Sequence, residues 1–191
     1  ALPKVLPLID PRWVDQIVFI EGGSTDSTLE IIHQWGRGIV IHQTIPGLSN
    51  GYWEAFPRIH TDVIITFSPD GNSPPEAIPA LIEKIHQGYD MVIASRYLDG
   101  ARSEDDDIVT AFGNWMFTRI INVVFGGHYT DCLVMLRAYR RSLLEELSMD
   151  TRAPVFEQQL AIRCAVHKRW VGEIPVSEPK RIGSVRKMKV L

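Results

Sequence analysis

The chain has 191 residues, 45% hydrophobic and 23% charged, with a formal net charge of −3. That length and balance suit one globular domain with a substantial core and exclude a disordered chain. The slight negative charge argues against general nucleic-acid binding, although Lys180, Arg181, Arg186, Lys187 and Lys189 make a local basic tail.

Residues 1–9 are apolar but short, carry Lys4 and two prolines, and lack the layout of a signal peptide. No apolar run is expected to reach membrane-spanning length, so the chain reads as soluble. Cys132 and Cys164 form no CxxC pair, zinc spacing or disulfide framework, which points to a reducing compartment and to no chemical role for either.

Leu2, Val5, Leu6 and Ile9 have helical spacing ahead of Asp10-Pro11. Residues 17–20 read as a buried strand, followed by a glycine turn, residues 21–28, in which Ser27 and Glu30 have capping-box spacing for a helix ending near Trp35. A strand at 39–41, a loop at 46–51, a helix at 52–59 and a strand at 63–67 follow. The next helix starts at Pro74 and ends at Gly88, and residues 91–94 make a further buried strand. Strands alternating with helices in this way mean βαβ units and a mostly parallel sheet. Residues 99–107 form an acidic loop, expected to be mobile, whose three adjacent aspartates read more readily as a solvated run than as a metal site. Residues 112–125 are a strongly apolar helix, either core or a surface for a greasy partner. The remainder reads as a strand at 132–136, a helix from Arg137 to about Leu147, a helix at 156–165 and a last strand at 171–176. No repeat or domain linker interrupts it.

The stretch that organises the chemistry is residues 64–76, an apolar strand running into a polar elbow. Ser73, Pro74 and Glu76 have the spacing of a capping box with proline at the first helical position. Asp70 and Asn72 offer oxygen ligands two residues apart at the carboxyl end of a strand, where open α/β sheets bind ligands, and such a pair suits a hard cation holding phosphates. A turn aspartate is the plain alternative for Asp70.

In order along nearly the whole chain, the motifs resemble a family-2 glycosyltransferase of the GT-A fold, nearest to the dolichyl- or polyprenyl-phosphate sugar (mannosyl or glucosyl) synthases. Glu21-Gly22-Gly23-Ser24-Thr25-Asp26 resembles the DDGSxD nucleoside turn, and Ser68-Pro69-Asp70-Gly71-Asn72-Ser73-Pro74-Pro75-Glu76 resembles DADLQDPPE. Gly88-Tyr89-Asp90 with Ala94-Ser95-Arg96-Tyr97 is similar to the GxD…GSRY strand, Thr130-Asp131 with residues 136–141 to D…GFRAYRR, and residues 181–187 to the RxxGxSK close. Each motif alone is weak; five in sequence are specific. The chain departs from the pattern in three places: Gly22 replaces the second aspartate of the turn, Ser68 replaces the first aspartate of the metal motif, and the opening strand ending in PxYNE is absent, through cropping or a missing segment.

The resemblance implies a single Rossmann-like GT-A domain, residues 1–191, with a mostly parallel central sheet. The implied activity is inverting transfer of a sugar from a GDP-mannose- or UDP-glucose-type donor to a polyprenyl-phosphate or related acceptor. It implies Mg²⁺ or Mn²⁺ held by Asp70 and Asn72, and a nucleotide across the strand ends at Ile20 and Phe67, met by Glu21, Gly23, Ser24, Asp26, Ser68, Asp70, Arg181 and Lys187. Asp131, Arg96 and Arg137 are the candidate catalytic residues. Asp131 would be a general base for a hydroxyl acceptor, whereas a phosphate acceptor needs positioning, for which Arg137 and Arg140 are available. Arg96 pairing with an acidic neighbour, and exposed helical arginines at 140 and 141, are the plain alternatives. The implied setting is cytoplasmic or peripheral to the membrane, without nucleic acid, and a homo-oligomer stays open. Two other classes stand beside this: a dinucleotide-dependent oxidoreductase, disfavoured because no GxGxxG follows any strand, and a catalytically impaired nucleotide-sugar-binding relic, suggested by Gly22 and Ser68.

Overall fold

The computed structural model describes residues 1–149 and 155–183. Their elements run α1 (Leu2–Val5), β1 (Val18–Glu21), α2 (Thr28–Trp35), β2 (Ile39–His42), α3 (Leu48–Ala55), β3 (Val63–Thr66), α4 (Ile78–His86), β4 (Met91–Ser95), α5 (Ile108–Phe125), β5 (Arg137–Arg140), α6 (Leu143–Glu146), α7 (Phe156–Val166) and β6 (Val171–Pro175). Short 3-10 turns follow α1 and α3 and precede α4.

The α/β alternation holds, but the strands divide into two sheets. β1 and β2 pair in parallel, and a four-stranded sheet has the order β3-β5-β4-β6. β4 and β6 are parallel, whereas β5 runs antiparallel to both of its neighbours. The Arg-Ala-Tyr-Arg segment expected to open a helix is therefore a strand. Ala138 and Tyr139 are fully buried between β3 and β4, and that packing overrides local helix propensity.

β4 is buried along its whole length, as its apolar run dictates for a strand covered on both faces. α4 turns Ile78, Leu81 and Ile85 onto the four-stranded sheet at helical spacing. α7 adds Phe156, Leu160, Ala161 and Cys164 to the core, and the Phe156 ring lies 5.1 Å from Tyr52 and 5.4 Å from Phe56. Burial pushes the free thiols of Cys132 and Cys164 up to about 12.

Several boundaries move, each for a local reason. Ser73 is buried and caps nothing; a 3-10 turn at Pro75–Ala77 intervenes, so α4 starts at Ile78. Ser27 makes no side-chain cap either, and Asp26 Oδ1 accepts the Thr28 amide at 3.0 Å instead. α3 begins at Leu48, four residues before the expected start, because Gly47 with φ of 117° lets the chain enter the helix directly. α5 begins at Ile108, where Asp107 Oδ1 accepts the Thr110 amide at 2.7 Å. This lengthens the apolar helix to 18 residues, enough by length and composition to cross a membrane, contrary to the expectation.

The two sheets face one another across a cavity of about 970 Å³. It is walled by β1 and β3 and lined by apolar side chains that include Leu6, Tyr52, Phe56, Ile78 and Ile82. Ile39 N donates to Ile17 O and Gln43 N to Glu21 O, so the odd-numbered residues of β1 bond to β2 and the amides of Val18 and Ile20 turn toward the cavity. Arg141 N donates to Asp62 O, which by the same parity turns Val63 and Ile65 of β3 toward it. Gln16 ties the two walls together at one end: its Nε2 donates to Arg58 O at 2.7 Å and its Oε1 accepts the His60 amide at 3.1 Å. Native-state hydrogen exchange should show the amides of Ile20 and Ile65 exchanging far faster than that of Ala94, which donates to Leu136 O inside the sheet. Equal protection would mean that the facing strand edges are satisfied.

Candidate functional site

At the carboxyl end of β1 the chain turns through Gly23 at φ 90°, and the buried Glu21 folds back over that turn. Its Oε1 accepts from the Gly23 amide at 2.8 Å and from the Ser24 amide, and its Oε2 lies 3.4 Å from His42 Nδ1. The Ser24 amide, with smaller help from His42, holds the Glu21 carboxyl below its ordinary value. Glu21 is thus the clamp of the glycine turn. It and Ser24 line the cavity, as do Ser68 and Pro69 after β3, so the glycine turn and the start of the elbow open on one space.

In the elbow, the Asn72 amide N donates to Asp70 Oδ1 at 3.3 Å, and Ile182 N donates to Asp70 O at 2.7 Å. Gly71 has φ of 93°, and a Cβ there would stand 2.7 Å from Ile182, so the C-terminal segment crosses the elbow where only glycine fits. Arg181 Nη1 lies 3.6 Å from Asp70 Oδ2, while its Nε and Nη2 are held by Asp105, with Nη2 at 2.6 Å from Oδ2. Asn72 Nδ2 donates to Glu178 Oε1 at 2.8 Å, and Asn72 Oδ1 is buried without a hydrogen-bond partner.

Beside the elbow, the end of β4 carries Arg96, buried and surrounded by three carboxylates. Its Nε donates to Asp131 Oδ2 at 2.7 Å, its Nη2 to Asp131 Oδ1 at 3.1 Å, and its Nη1 to Asp106 Oδ2 at 3.0 Å and Glu178 Oε2 at 3.1 Å. Asp131 is fully buried and also accepts from Asn114 Nδ2 at 3.0 Å and from the Leu133 and Val134 amides. Burial alone would raise the Asp131 carboxyl, but the Arg96 hydrogen bonds and charge outweigh it and hold it below the ordinary carboxylate value. For Glu178, burial outweighs the pull of Arg96 and raises the carboxyl. An acceptor-saturated carboxylate of low proton affinity is a poor general base; the structure uses Asp131 to aim Arg96.

Arg137 needs correction. It is fully buried in β5, and its guanidinium donates to the carbonyls of Val134, Cys132 and Glu157, which leaves it a core strut rather than a group in reach of substrate. Arg140 is partly exposed and bonds to Tyr89 O at 3.3 Å. Asp26 accepts the Thr28 amide at the entry to α2, and Lys187 lies outside the described residues. The acidic loop is not a free run: Asp105 holds Arg181, Asp106 holds Arg96 and Tyr97 Oη, and Asp107 caps α5. Glu178 and Asp105 were missed in the sequence because Arg96 and Arg181, which they meet, lie 82 and 76 residues away, and Asp106 and Asn114 because only the fold of the intervening loop turns them onto Arg96 and Asp131. The one available signal was that buried arginines at strand ends need acidic partners.

The sequence model of glycosyl transferase family 2 matches residues 11–148. The chain belongs to this family. Among relatives of the family, a dolichyl-phosphate hexose transferase of Haloferax volcanii is 30% identical over 189 residues, covering 97% of this chain and 80% of its own length. An undecaprenyl-phosphate 4-deoxy-4-formamido-L-arabinose transferase of Klebsiella pneumoniae is 28% identical over 196 residues, and the chain spans 56% of that relative's length. In structure, the chain is similar to glucosyl-3-phosphoglycerate synthase from Mycobacterium tuberculosis crystallised with Mn²⁺ and UDP-glucose, with a TM-score of 0.70 at 19% identity, covering 98% of this chain and 67% of that one. This places the chain in the GT-A fold.

Within that family fold, the Arg96–Asp131 pair sets a pH dependence. The folded Asp131 carboxyl lies below its unfolded value, so its contribution to stability is present above the unfolded pKa, near 3.9, and is lost as pH falls through the folded value. Asp131→Asn should cost about 3 kcal/mol at neutral pH, the low end for a broken buried pair since Asp106 and Glu178 still face Arg96. It should also flatten the acid limb of stability measured by urea unfolding. A variant as stable as the parent at neutral pH would contradict this role.

Proposed function

We propose that this chain transfers a hexose, with inversion, from a GDP-mannose- or UDP-glucose-type donor to a polyprenyl phosphate at a membrane surface, with Mg²⁺ or Mn²⁺ as cofactor. The observation that carries the donor half is the elbow itself. A carboxylate, Asp70, and an orphaned buried carbonyl oxygen, Asn72 Oδ1, belong to residues two apart in the turn that follows β3, where the Asn72 backbone amide bonds to Asp70 Oδ1. An acceptor oxygen buried without a donor is costly unless an ion or ligand meets it. Among the described residues no three His, Cys, Asp or Glu side chains cluster as a metal site, so Asp70 and Asn72 would hold a cation only together with the donor's phosphates. When bound, the cation neutralises charge developing on the departing nucleoside diphosphate. Arg181, already 3.6 Å from Asp70, brings a second positive charge to the same place. Relatives whose names specify polyprenyl-phosphate sugar transfer, and fold neighbours crystallised with Mn²⁺ and UDP-glucose, support the reading.

The acceptor half rests on Asp131 and α5. With Asp131 locked on Arg96, an acceptor that is already ionised suits the site better than one needing deprotonation. α5 is inverted for a water-facing helix: its buried positions are Asn114, Thr118 and Ile121, while Ile108, Phe112, Trp115 and Val123 are between 58% and 88% exposed. Such a surface suits a lipid-borne acceptor, and Asn114 on its inner side reaches Asp131 directly.

Calorimetry of UDP- and GDP-sugars with and without Mn²⁺ tests the donor half. Donor binding should require the cation. Asp70→Ala should abolish it, and Ser68→Asp should tighten it by restoring a carboxylate two residues before Asp70. Equal affinity in chelator, or parent-like binding by Asp70→Ala, would leave the elbow as a turn only.

A further inference from the structure

We propose that Glu178 is a positioning residue for the cation site: it turns the Asn72 amide so that the oxygen, not the nitrogen, faces the elbow. The proposal rests on reading the elbow as a site for a cation and a nucleoside diphosphate. An asparagine side chain has a donor end and an acceptor end, and an ionised carboxylate can only accept. Glu178 Oε1 takes Asn72 Nδ2 at 2.8 Å, which fixes that end and directs Oδ1 the opposite way, where it is buried and unpartnered. No other residue in contact with Asn72 Nδ2 supplies this bias among the described hydrogen bonds. An oxygen presented in this way is a hard-cation ligand, whereas the flipped amide would present two N–H donors and repel the ion.

The geometry of Glu178 suits such a task. Its other oxygen, Oε2, accepts from Arg96 Nη1 at 3.1 Å and from Ser103 Oγ at 2.5 Å. Its backbone is pinned too: its amide donates to Arg102 O at 2.8 Å and its carbonyl accepts the Glu104 amide at 2.8 Å. One buried carboxylate therefore joins the elbow, the end of β4 and the acidic loop, and its rotamer is held from three sides. Glu178 touches neither the cation nor the donor; it acts through Asn72 and Arg96.

The test is titration of Mn²⁺ in the presence of UDP, reading free Mn²⁺ by electron paramagnetic resonance, in a double-substitution cycle. Loss of a residue that orients a metal ligand weakens metal affinity about tenfold or more, so Glu178→Gln and Glu178→Leu should each weaken Mn²⁺ by about that factor in the parent. In an Asn72→Asp background both ends of the side chain are oxygens and no orientation is needed. There a carboxylate at 178 only repels, and Glu178→Gln should strengthen Mn²⁺ binding. Glu178→Gln keeps the side chain's size and its hydrogen bond to Ser103, which guards against a misfolded Glu178→Leu protein. This reversal of sign is the expected result, and a merely structural role would not produce it. Equal weakening in both backgrounds, with the parent binding Mn²⁺ normally, would overturn the positioning role alone. Absence of Mn²⁺ binding by the parent would overturn the reading of the elbow and this proposal with it.

Discussion

The structure around the site depends on one buried positive charge. Arg96 lies at the end of β4 with almost no access to water, and a guanidinium in that position is tolerable only when its donors are met by acceptors. Asp131, Asp106 and Glu178 meet them, and each comes from a different part of the chain. Satisfying Arg96 therefore fixes the segment after α5, the acidic loop and the segment after β6 in one arrangement. Burial works against the charged guanidinium and the Asp131 charge works for it, with the second prevailing, so the group stays cationic. The loop expected to be mobile is held by that charge and by Arg181.

A second constraint is geometrical. Two sheets present strand edges to a shared cavity, and the polar ends of β1 and β3 open at its rim. The glycine turn clamped by Glu21 and the start of the elbow, at Ser68 and Pro69, thereby face one space although more than forty residues separate them in sequence. The C-terminal segment crosses the elbow at Gly71, which brings Arg181 to Asp70 and Glu178 to Asn72. The elbow and Arg96 are joined through that segment by Glu178.

What was legible in the sequence was whatever local pattern controls. The buried run of β4, the helical spacing of α4 and the glycine-punctuated turns all stand close to where their residues placed them. Asp70, Asn72 and Arg96 could be singled out because a strand end followed by a polar turn has a chemical meaning of its own, whereas Asp131 stood out only through the resemblance of its motif. Roles that depend on distant partners were not legible. Arg137 reads like a phosphate ligand until β5 is seen wedged between β3 and β4, with its guanidinium on carbonyls. Asp105 and Asp106 read as a solvated run because Arg181 and Arg96 are brought to them only by the fold. Glu178 had no local signature, since its meaning lies in the three groups it joins.

If Asp131 orients Arg96 and does not abstract a proton, as proposed, the acceptor arrives already ionised. The most direct measurement is sugar transfer from UDP- and GDP-hexoses, with Mn²⁺, to a short-chain polyprenyl phosphate and, in parallel, to the corresponding polyprenol. The account expects glycosylated product with the phosphate and none with the alcohol. Transfer to the alcohol at a comparable rate would show that a base works at this site and would contradict it.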